Sequence, residues 1–419
     1  MRSQTRLKRK DGVGMPVKYS RDESILRLIG QVHSVEVKEH LEEKLRSGKK
    51  LRVKHGIDPT GPRIHIGRAI SLWKLRSFQD LGHTIVLIIG DFTAQVGDPS
   101  DKLSKRPFLT KKQVVENLKG YLPQIWKILD KKKTEVRYNS TWLGKLKLQE
   151  IAKLAEIFSV QQMLARHNFK ERLQKNEDIS IRELFYPLMQ GYDSVAVKAD
   201  VEVGGADQLF NLHAGREIQK YYGQEPQDVL TTPMLVGTDG RKMSTSWSNI
   251  INITDTPNDM YGKLMAIDDA VTDEYFNLTC PHLPHSEIQE IIDALRGGSL
   301  SPKDAKMRLA REVVTLYHGF SAAEGAEKEF VRVFQKKETP QNIKEILLTG
   351  PGFVLVEFLV RENIVPSKNE AKRLMEQGGV ELDGITHKDW RKSIQAGDIK
   401  DGAVLRVGKR QFFRLRKPK

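Results

Sequence analysis

The sequence has a single cysteine and no long hydrophobic run, and both scarcities exclude whole classes of protein. Cys280 is the one cysteine among 419 residues, so the chain forms no internal disulfide and no cysteine-based zinc cluster. The longest apolar run, residues 84–89, is far shorter than the roughly 18 residues that a membrane-spanning helix needs. The first twenty residues are basic and lack the apolar segment of a secretory signal. We therefore expect a cytoplasmic protein with no membrane partner.

Acidic residues are also in deficit, and the resulting positive charge is uneven along the chain. Lysine and arginine number 69 against 54 acidic residues, which gives a net charge of +15 at pH 7. The last 53 residues, 367–419, hold 14 basic and 7 acidic residues and so contribute +7. Such a basic segment favours a polyanionic partner, of which nucleic acid is the commonest. The hydrophobic content of 39% allows a packed core and excludes a disordered or collagen-like chain.

A strand–helix–strand pattern follows the basic N-terminus. Residues 51–57 read as a strand, a helix starts near Ile66 and ends before Gly82, and residues 84–89 form a continuous apolar run. A continuous run suits a strand that is buried on both faces of a parallel sheet. The pattern predicts an α/β fold with a doubly wound, Rossmann-like parallel sheet. Ligands of such sheets bind beyond the carboxyl ends of the strands, which are here followed by Asp58 and Gly90.

The patterns divide the chain into four segments. We predict an N-terminal extension at residues 1–30 and the α/β domain at residues 31–248. Strand patterns disappear after Asn252, so residues 249–345 are predicted as an α-helical domain. Residues 352–419 are predicted as a small α+β domain, because two helical segments precede several short strands there.

Two polar loops have the composition of phosphate-binding sites. The segment from Asp58 to Arg68 lies at a strand-to-helix junction, where free backbone N–H groups suit a phosphate. Within it, His65 could donate to a phosphoryl oxygen and Gly67 would let a nucleoside approach the backbone. The loop at residues 240–246 offers the Lys242 ammonium and three hydroxyls to a leaving pyrophosphate. Taken singly, each also suits an ordinary connecting loop.

Three further segments place polar groups beside the predicted sheet. Tyr186, Gln190 and Asp193 are spaced to share one helix face, which fits either a satisfied core network or a polar ligand site. Residues 204–208 combine two glycines with Asp207, a carboxylate that suits a ribose diol. Residues 90–100 carry Asp98 but no lysine inside the glycine frame, which disfavours a P-loop NTPase.

The five segments, in this order, resemble those of bacterial tyrosyl-tRNA synthetases, a family of class I aminoacyl-tRNA synthetases. The resemblance covers nearly the whole chain, from about Ile25 to Arg416. His65-Ile-Gly-Arg68 and Lys242-Met-Ser-Thr-Ser246 are similar to the two class I signatures. Arg68 stands where the family usually has histidine, and Thr245 stands where it usually has a second lysine. One subfamily places a tyrosine beside the substrate phenol in the strand before Asp58, where this chain reads Lys54-His55-Gly56.

The resemblance implies that the chain activates L-tyrosine with ATP and transfers the tyrosyl group to tRNA(Tyr). The implied residues for chemistry are Thr60, His65, Arg68 and Lys242, and those for tyrosine are Tyr186, Gln190, Asp193, Asp98, Asn139 and Gln208. The implied ATP-binding residues are Gly67, Gly205, Asp207, Lys242, Met243, Ser244 and Ser246. The implied RNA-binding residues are Lys368, Lys372, Arg373, Lys409, Arg410 and Arg414.

Further expectations follow from the same resemblance. Mg²⁺ should accompany ATP, and we expect no metal held by the protein itself. Residues 249–345 should lie on the anticodon side, and residues 352–419 should form an RNA-binding domain of the αL type. The family forms homodimers through its α/β domain, which points to residues 156–185 with Phe158, Met163, Leu164 and Phe169 as apolar contacts.

Three other functions share part of the pattern. Tryptophanyl-tRNA synthetase shares the fold and the signatures, but the Tyr186, Gln190 and Asp193 face and the basic C-terminal domain argue against it. A cofactor adenylyltransferase with a His-x-Gly loop lacks the long C-terminal appendages. A non-catalytic RNA-binding relative would account for Arg68 and Thr245, but the chain keeps the other signature residues.

Overall fold

The computed structural model describes residues 20–30, 32–100, 109–244, 247, 249–335, 343–408 and 411–418. These residues belong to two compact units, the first reaching to Ala323 and the second starting at Glu324. In the described parts of both units, every helix is too short or too polar to span a membrane.

A six-stranded sheet forms the centre of the first unit. Its strands are β1 (Ser34–Glu36), β2 (Arg52–Ile57), β3 (Thr84–Ile89), β4 (Thr134–Tyr138), β5 (Val201–Gly205) and β6 (Asp228–Thr232). The spatial order is β1-β6-β5-β2-β3-β4, with β1 antiparallel and the other pairs parallel. Residues 85–89 of β3 are fully buried, as their continuous apolar pattern predicts. The predicted parallel-sheet α/β class is confirmed.

Sixteen α-helices surround or follow this sheet in the described residues up to Phe330. They are α1 (Arg21–Gly30), α2 (Lys38–Arg46), α3 (Ile66–Asp80), α4 (Thr93–Val96), α5 (Lys111–Ile125), α6 (Ser140–Leu143), α7 (Leu148–Glu156), α8 (Val160–Leu164), α9 (His167–Gln174), α10 (Ile181–Val197), α11 (Leu209–Tyr221), α12 (Pro257–Met265), α13 (Thr272–Thr279), α14 (His285–Arg296), α15 (Pro302–His318) and α16 (Phe320–Phe330). The helix α5 begins with the capping box that Thr110 and Gln113 predict.

The helix α10, which carries the predicted tyrosine-binding residues, packs closely against α11. Gly191 lies in the middle of α10, and a Cβ atom there would come within 2.6 Å of Ile218 Cδ1 on α11. The same Cβ atom would lie 3.1 Å from the Ala214 backbone carbon, so a side chain at this position would crowd the backbone of α11. Glycine lowers the helix propensity of α10, and the close contact with α11 offsets that cost.

The predicted N-terminal extension of residues 1–30 is partly wrong. Residues 21–30 form α1, in which Ile25, Leu28 and Ile29 are buried. Arg27 on this helix also donates to the Leu283 carbonyl oxygen at 2.7 Å. The apolar residues of α1 have helical spacing. The extension was nevertheless predicted to end at residue 30, because the segment before α1 is highly basic. Residues 1–19 lie outside the described part.

The helical segment after residue 249 packs within the same compact unit as the sheet. Trp73 on α3 donates its indole N–H to the Tyr317 hydroxyl on α15 at 3.0 Å. The unit boundary lies between Ala323 and Glu324, whereas the sequence suggested divisions at 248 and 345. Hydrophobic residues on both sides of residue 248 share buried surfaces, and a sequence pattern gives no sign of such sharing.

The second unit contains the predicted mixture of short strands and helices. Its elements are β7 (Lys344–Leu347), β8 (Gly352–Val354), α17 (Leu355–Arg361), α18 (Lys368–Glu376), β9 (Val380–Leu382), β10 (Ile385–Thr386), β11 (Ser393–Gln395), β12 (Ala403–Val407) and β13 (Gln411–Arg416). Five strands form a sheet in the order β10-β9-β12-β13-β7, and β8 pairs with β11. Residues 344–345, which the sequence assigned to the helical domain, belong to β7, a polar edge strand with one buried residue, Ile346.

Candidate active site

A cavity of about 780 Å³ opens at the carboxyl ends of the central parallel strands. All five predicted segments line it, although they are far apart in the sequence. Its wall contains Thr60, His65, Gly67, Arg68, Asp98, Asn139, Tyr186, Gln190, Asp193, Gly205, Asp207, Gln208, Lys242, Met243 and Ser244. The predicted ATP-binding residue Ser246 lies outside the described residues. The structure thus brings together every described residue that the sequence assigned to chemistry, tyrosine or ATP.

Tyr186, Gln190 and Asp193 share the inner face of α10, as their spacing predicts. Their exposed fractions are only 6%, 8% and 3%. Tyr186 donates its hydroxyl to Asp58 Oδ2 at 2.9 Å, and Asp58 Oδ1 accepts from Thr93 at 2.7 Å. Burial and the nearby Asp58 carboxylate raise the pKa of Tyr186 well above its usual value. Tyr186 therefore remains a neutral hydrogen-bond donor that links α10 to the loop after β2.

Asp193 is a carboxylate almost removed from water. Trp142 Nε1 donates to one of its oxygens at 2.7 Å, and Asn139 Nδ2 donates to the other at 3.3 Å. Burial raises the pKa of Asp193 to about 7, while Lys54 and the two hydrogen bonds oppose that rise. These two donors use one acceptor site on each oxygen, so an ionised carboxylate keeps the capacity to accept a further hydrogen bond from a ligand.

Gln190 is fixed by partners that the sequence analysis did not identify. Asn211 Nδ2 donates to its Oε1 at 3.0 Å, and its own Nε2 donates to Glu202 Oε1 at 3.4 Å. Glu202 in turn forms a buried ion pair with Lys54, with Nζ and Oε1 2.9 Å apart. Glu202 is the charged residue in a strand that otherwise consists of valine and glycine, and that contrast was the available signal.

His65 caps the N-terminus of α3 and remains neutral. Its Nδ1 accepts from the backbone N–H of Arg68 at 3.3 Å, so the ring proton resides on Nε2. Burial, together with Arg68 and Lys242, lowers the pKa of His65 to about 3. His65 can therefore donate to an anion at neutral pH without carrying a charge. Arg68 lines the same wall and donates from Nη1 to the Tyr121 hydroxyl at 3.0 Å.

His55 is a second neutral imidazole in the cavity wall, and it was not assigned from the sequence. Its Nδ1 lies 2.7 Å from the Val203 carbonyl oxygen. Because a carbonyl oxygen only accepts, Nδ1 carries the ring proton and Nε2 is an acceptor. Burial lowers the pKa of His55, which keeps this arrangement at neutral pH.

The two loops assigned to different parts of ATP contact each other directly. Lys242 Nζ and Asp207 Oδ2 are 2.9 Å apart, and the two side chains are 40% and 22% exposed. Asp98 also accepts from Gln208 Nε2 at 2.7 Å. Glycine at position 205 leaves room for the Asp207 side chain, because a Cβ atom there would lie 2.6 Å from Asp207 Oδ1. The contact leaves further N–H donors on Lys242 and further acceptor sites on Asp207 for a ligand.

Internal contacts also shape the loop that carries Lys242. The Arg241 guanidinium lies over the Trp247 ring, 3.6 Å from its centroid. Asn249 accepts from the Ser244 backbone N–H at 2.9 Å and donates to the Lys242 carbonyl at 3.0 Å. Thr245, Ser246 and Ser248 lie outside the described residues. The described flanks of this segment therefore form a compact turn.

The predicted RNA-binding residues belong to the second unit. Lys368 pairs with Glu357 at 2.8 Å, and Arg373 pairs with Glu370 at 2.7 Å, all on α17 and α18 or next to them. Lys372 places its ammonium over the Trp390 ring, 3.9 Å from the centroid. Arg414 lies on β13, whereas Lys409 and Arg410 lie outside the described residues. In the described chain, no three His, Cys, Asp or Glu side chains group as a metal site.

Comparison with known proteins identifies two family models along the chain. The model described as "tRNA synthetases class I (W and Y)" matches residues 46–335. The model described as "Tyrosine--tRNA ligase SYY-like C-terminal domain" matches residues 335–415. The two matches together span residues 46–415 and so cover most of each compact unit.

Curated relatives and solved structures agree with these models. The chain is 47% identical to a tyrosine–tRNA ligase from Thermotoga maritima, over 90% of this chain and 93% of the relative. It is 46% identical to one from Moorella thermoacetica, over 90% of each. A C-terminally truncated mitochondrial tyrosyl-tRNA synthetase from Coccidioides posadasii has 27% identity and a TM-score of 0.56, covering 74% of this chain and 92% of that one. The chain belongs to the tyrosine–tRNA ligases, within the class I tRNA synthetases.

Proposed function

We propose that the chain joins L-tyrosine to tRNA(Tyr) in two steps, through tyrosyl-adenylate. The observation that carries this proposal is the buried Asp193 carboxylate, which has only neutral donors and faces the cavity. A phenol hydroxyl is the donor that tyrosine has and phenylalanine lacks. Tyr186, Gln190 and Asp98 lie in the same wall and would hold the substrate ammonium.

The first step is an in-line displacement at the α-phosphate of ATP. A carboxylate oxygen of tyrosine bonds to the α-phosphorus, the bond to the bridging oxygen breaks, and pyrophosphate leaves with the electron pair. Neutral His65 and Thr60 would donate to the phosphate oxygens, while Arg68 and Lys242 would offset the developing negative charge. Positioning and electrostatics suffice for such a transfer, so no protein nucleophile is required.

The remaining ligands follow from the same chemistry. Gly67, Gly205 and Asp207 would contact the adenosine, while Asn139 and Gln208 would orient the tyrosine carboxylate. Mg²⁺ would enter with ATP, because it neutralises phosphate charge. In the second step a terminal ribose hydroxyl of the tRNA attacks the adenylate carbonyl, AMP leaves, and the hydroxyl proton is released. The single cysteine is free and buried, which fits the proposed cytoplasmic location.

Pyrophosphate exchange with each of the twenty amino acids tests the proposed reaction. We expect label to enter ATP only when tyrosine is present. Exchange with tryptophan instead would support a tryptophanyl-tRNA synthetase. Absence of exchange with every amino acid, despite tRNA binding, would support a non-catalytic RNA-binding relative.

The role of Asp193 predicts how selectivity changes in Asp193→Asn. The amide keeps the size of the side chain but loses the charged acceptor for the phenol. The preference for tyrosine over phenylalanine should fall about 10- to 100-fold, the value of one hydrogen bond to a charged group. Exchange kinetics with both amino acids measure this ratio, and the KM for ATP serves as the internal control. An unchanged ratio would remove Asp193 from phenol recognition.

The role of Arg68 predicts a slower first step in Arg68→Ala. Loss of one transition-state donor should reduce the rate of adenylate formation by about 10²-fold. Tyrosine affinity should stay the same, because Asp193 and Gln190 are untouched. Single-turnover measurements with Tyr121→Phe provide a matched control, since that change removes only the hydroxyl that holds Arg68. A wild-type rate in Arg68→Ala would show that Arg68 is not a phosphate donor.

The second unit is proposed to bind the tRNA backbone through its basic residues. Replacing Lys368, Lys372 and Arg373 by glutamine should weaken tRNA binding and lower the salt dependence of its Kd by up to about three units of slope. Titrations of tRNA at several salt concentrations give this slope. Tyrosine-dependent exchange should keep its wild-type rate, because these residues lie in the other compact unit. An unchanged slope would place the RNA contacts elsewhere.

A homodimer is proposed through residues 156–185, with two of the four predicted apolar residues less available for contact than the others. Phe169 and Met163 are 0% and 5% exposed, so the fold of one chain already buries them. The half-buried apolar residues of the same cluster include Leu146, Ile157, Phe158, Leu184, Phe185 and Tyr192. Val160 and Ile181 nearby in sequence are 59% and 71% exposed. Exposed and half-buried apolar residues on these helices are the side chains that association of two chains could bury.

Sedimentation should therefore show a species of twice the 47.8 kDa chain at micromolar concentration. Ile181→Asp together with Val160→Asp should shift the equilibrium toward the monomer, since each charge would be buried on association. A wild-type chain that sediments only as a monomer would contradict the proposal.

A further inference from the structure

A buried ion pair lies directly behind the part of α10 that faces the cavity. Lys54 on β2 is fully buried, Glu202 on β5 is 1% exposed, and their Nζ and Oε1 atoms are 2.9 Å apart. The parallel register of the two strands sets Lys54 opposite Glu202, so both side chains leave the same face of the sheet. Two charges in the interior are costly to desolvate and persist only with full hydrogen bonding.

The Lys54 ammonium is bound by three acceptors, two of which belong to α10. Besides Glu202, Nζ donates to the Gln190 backbone carbonyl at 2.8 Å and to the Ser194 hydroxyl at 2.7 Å. These contacts use all three N–H donors of the ammonium. Gln190 and Ser194 are four residues apart and bracket Asp193. Lys54 therefore fixes the one helical turn that carries both predicted recognition side chains.

Glu202 completes this network from the other side. Its carboxylate accepts from Ser194 Oγ at 3.2 Å, from Gln190 Nε2 at 3.4 Å and from Gln227 Nε2. Asn211 donates to the oxygen of the Gln190 amide. The two contacts together determine which way the Gln190 amide points, with its nitrogen toward Glu202.

The pair also sets the electrostatic environment of Asp193. The charged groups that act on Asp193 from the strands beside it are Lys54 on β2 and Glu202 on β5, and Tyr186 on α10 is coupled to it. The cavity wall also contains the titratable groups His55, Asp58, Arg68 and Asp98. Burial raises the pKa of Asp193 to about 7, the Lys54 cation lowers it, and the Glu202 anion raises it. Burial keeps Tyr186 neutral, so Lys54 is the cation among the groups that act on Asp193.

We propose that Lys54, held by Glu202, is a positioning residue for tyrosine recognition, whose ammonium fixes the Gln190–Asp193 turn and places a positive charge beside the carboxylate that accepts from the substrate phenol. The inference rests on the proposed function, in which Asp193 accepts the phenolic hydrogen bond. Lys54 is fully buried and acts through α10 and through its charge, without touching the substrate. The opposite charges of Lys54 and Glu202 give the two residues opposite effects on Asp193.

The test compares pH profiles of kcat/KM for tyrosine in pyrophosphate exchange. In Lys54→Met the cation is lost, so the acidic limb should move up by about one pH unit and the KM for tyrosine should rise about 10-fold. In Glu202→Gln the anion is lost and the cation stays, so the limb should move to lower pH. The KM for ATP should change less than about 2-fold in both, because the ATP-facing side chains keep their contacts.

The double variant Lys54→Met/Glu202→Gln controls for folding, since it leaves neither charge unpaired in the interior. Its acidic limb should lie between those of the single variants, and thermal unfolding should match the wild type more closely than Lys54→Met does. If Lys54→Met does not fold, the direction in which the acidic limb moves in Glu202→Gln tests the inference by itself. A shift to lower pH would support the inference, and a shift to higher pH would contradict it. Limbs that stay in place, or that move in the same direction in both single variants, would overturn the inference.

Asp193→Asn separates this inference from the proposed function. If Asp193 is the phenol acceptor, this variant should lose the acidic limb altogether, because its side chain no longer titrates. A wild-type profile in Asp193→Asn, or no tyrosine-dependent exchange in the native chain, would contradict the proposed function itself. Loss of the limb in Asp193→Asn with unshifted limbs in the Lys54 and Glu202 variants would overturn only the role of the ion pair.

Discussion

The parallel alignment of β2 with β5 is the constraint on which the candidate site depends. From β2 the sheet continues through β3 and β4 on one side and through β5 and β6 on the other. The connections therefore diverge at this pair and leave a crevice at the carboxyl ends of the strands. The same alignment sets Lys54 opposite Glu202 beneath the crevice, and these charges require acceptors and donors from α10. The pairing of β2 with β5 thus determines where the cavity opens, and it places the two buried charges that hold α10 beside the cavity.

The polar groups around the cavity fall into two classes that differ in solvation. At the buried end, Asp193 and Gln190 have several fixed partners and are almost inaccessible to water. At the open end, Lys242 and Asp207 hold each other through one partly exposed contact. A rigid, dry region favours discrimination between similar side chains, because a missing hydrogen bond cannot be replaced by water. In a solvated region water can replace a broken contact, so hydrogen-bond partners exchange easily. This suits a ligand that enters the site as one chemical species and leaves it as another.

Sequence patterns predicted the elements whose signal is local. The continuous apolar run of β3 and the shared face on α10 both appear in the structure. The cavity residues were assigned from the resemblance to a known family. Those that the structure describes all line one cavity. Lys54, His55 and Trp142 were missed because their importance comes from contacts between distant strands and helices. The buried state of Phe169 and Met163 was missed for the same reason, since an apolar residue in a helix fits a core and an interface equally well.

The contact between Lys242 and Asp207 joins the two loops that are assigned to different parts of ATP. One contact occupies one N–H donor of the ammonium and one acceptor site of the carboxylate, so both groups can bind a ligand while the pair stays closed. On the proposed roles, a nucleoside polyphosphate supplies hydroxyls and phosphate together and would use both groups at once, whereas inorganic phosphate would use Lys242 alone. Because the pair is partly exposed, its own contribution to stability is only about 0–1 kcal/mol. The pair would therefore hold the two loops in register for ATP and still open at little cost.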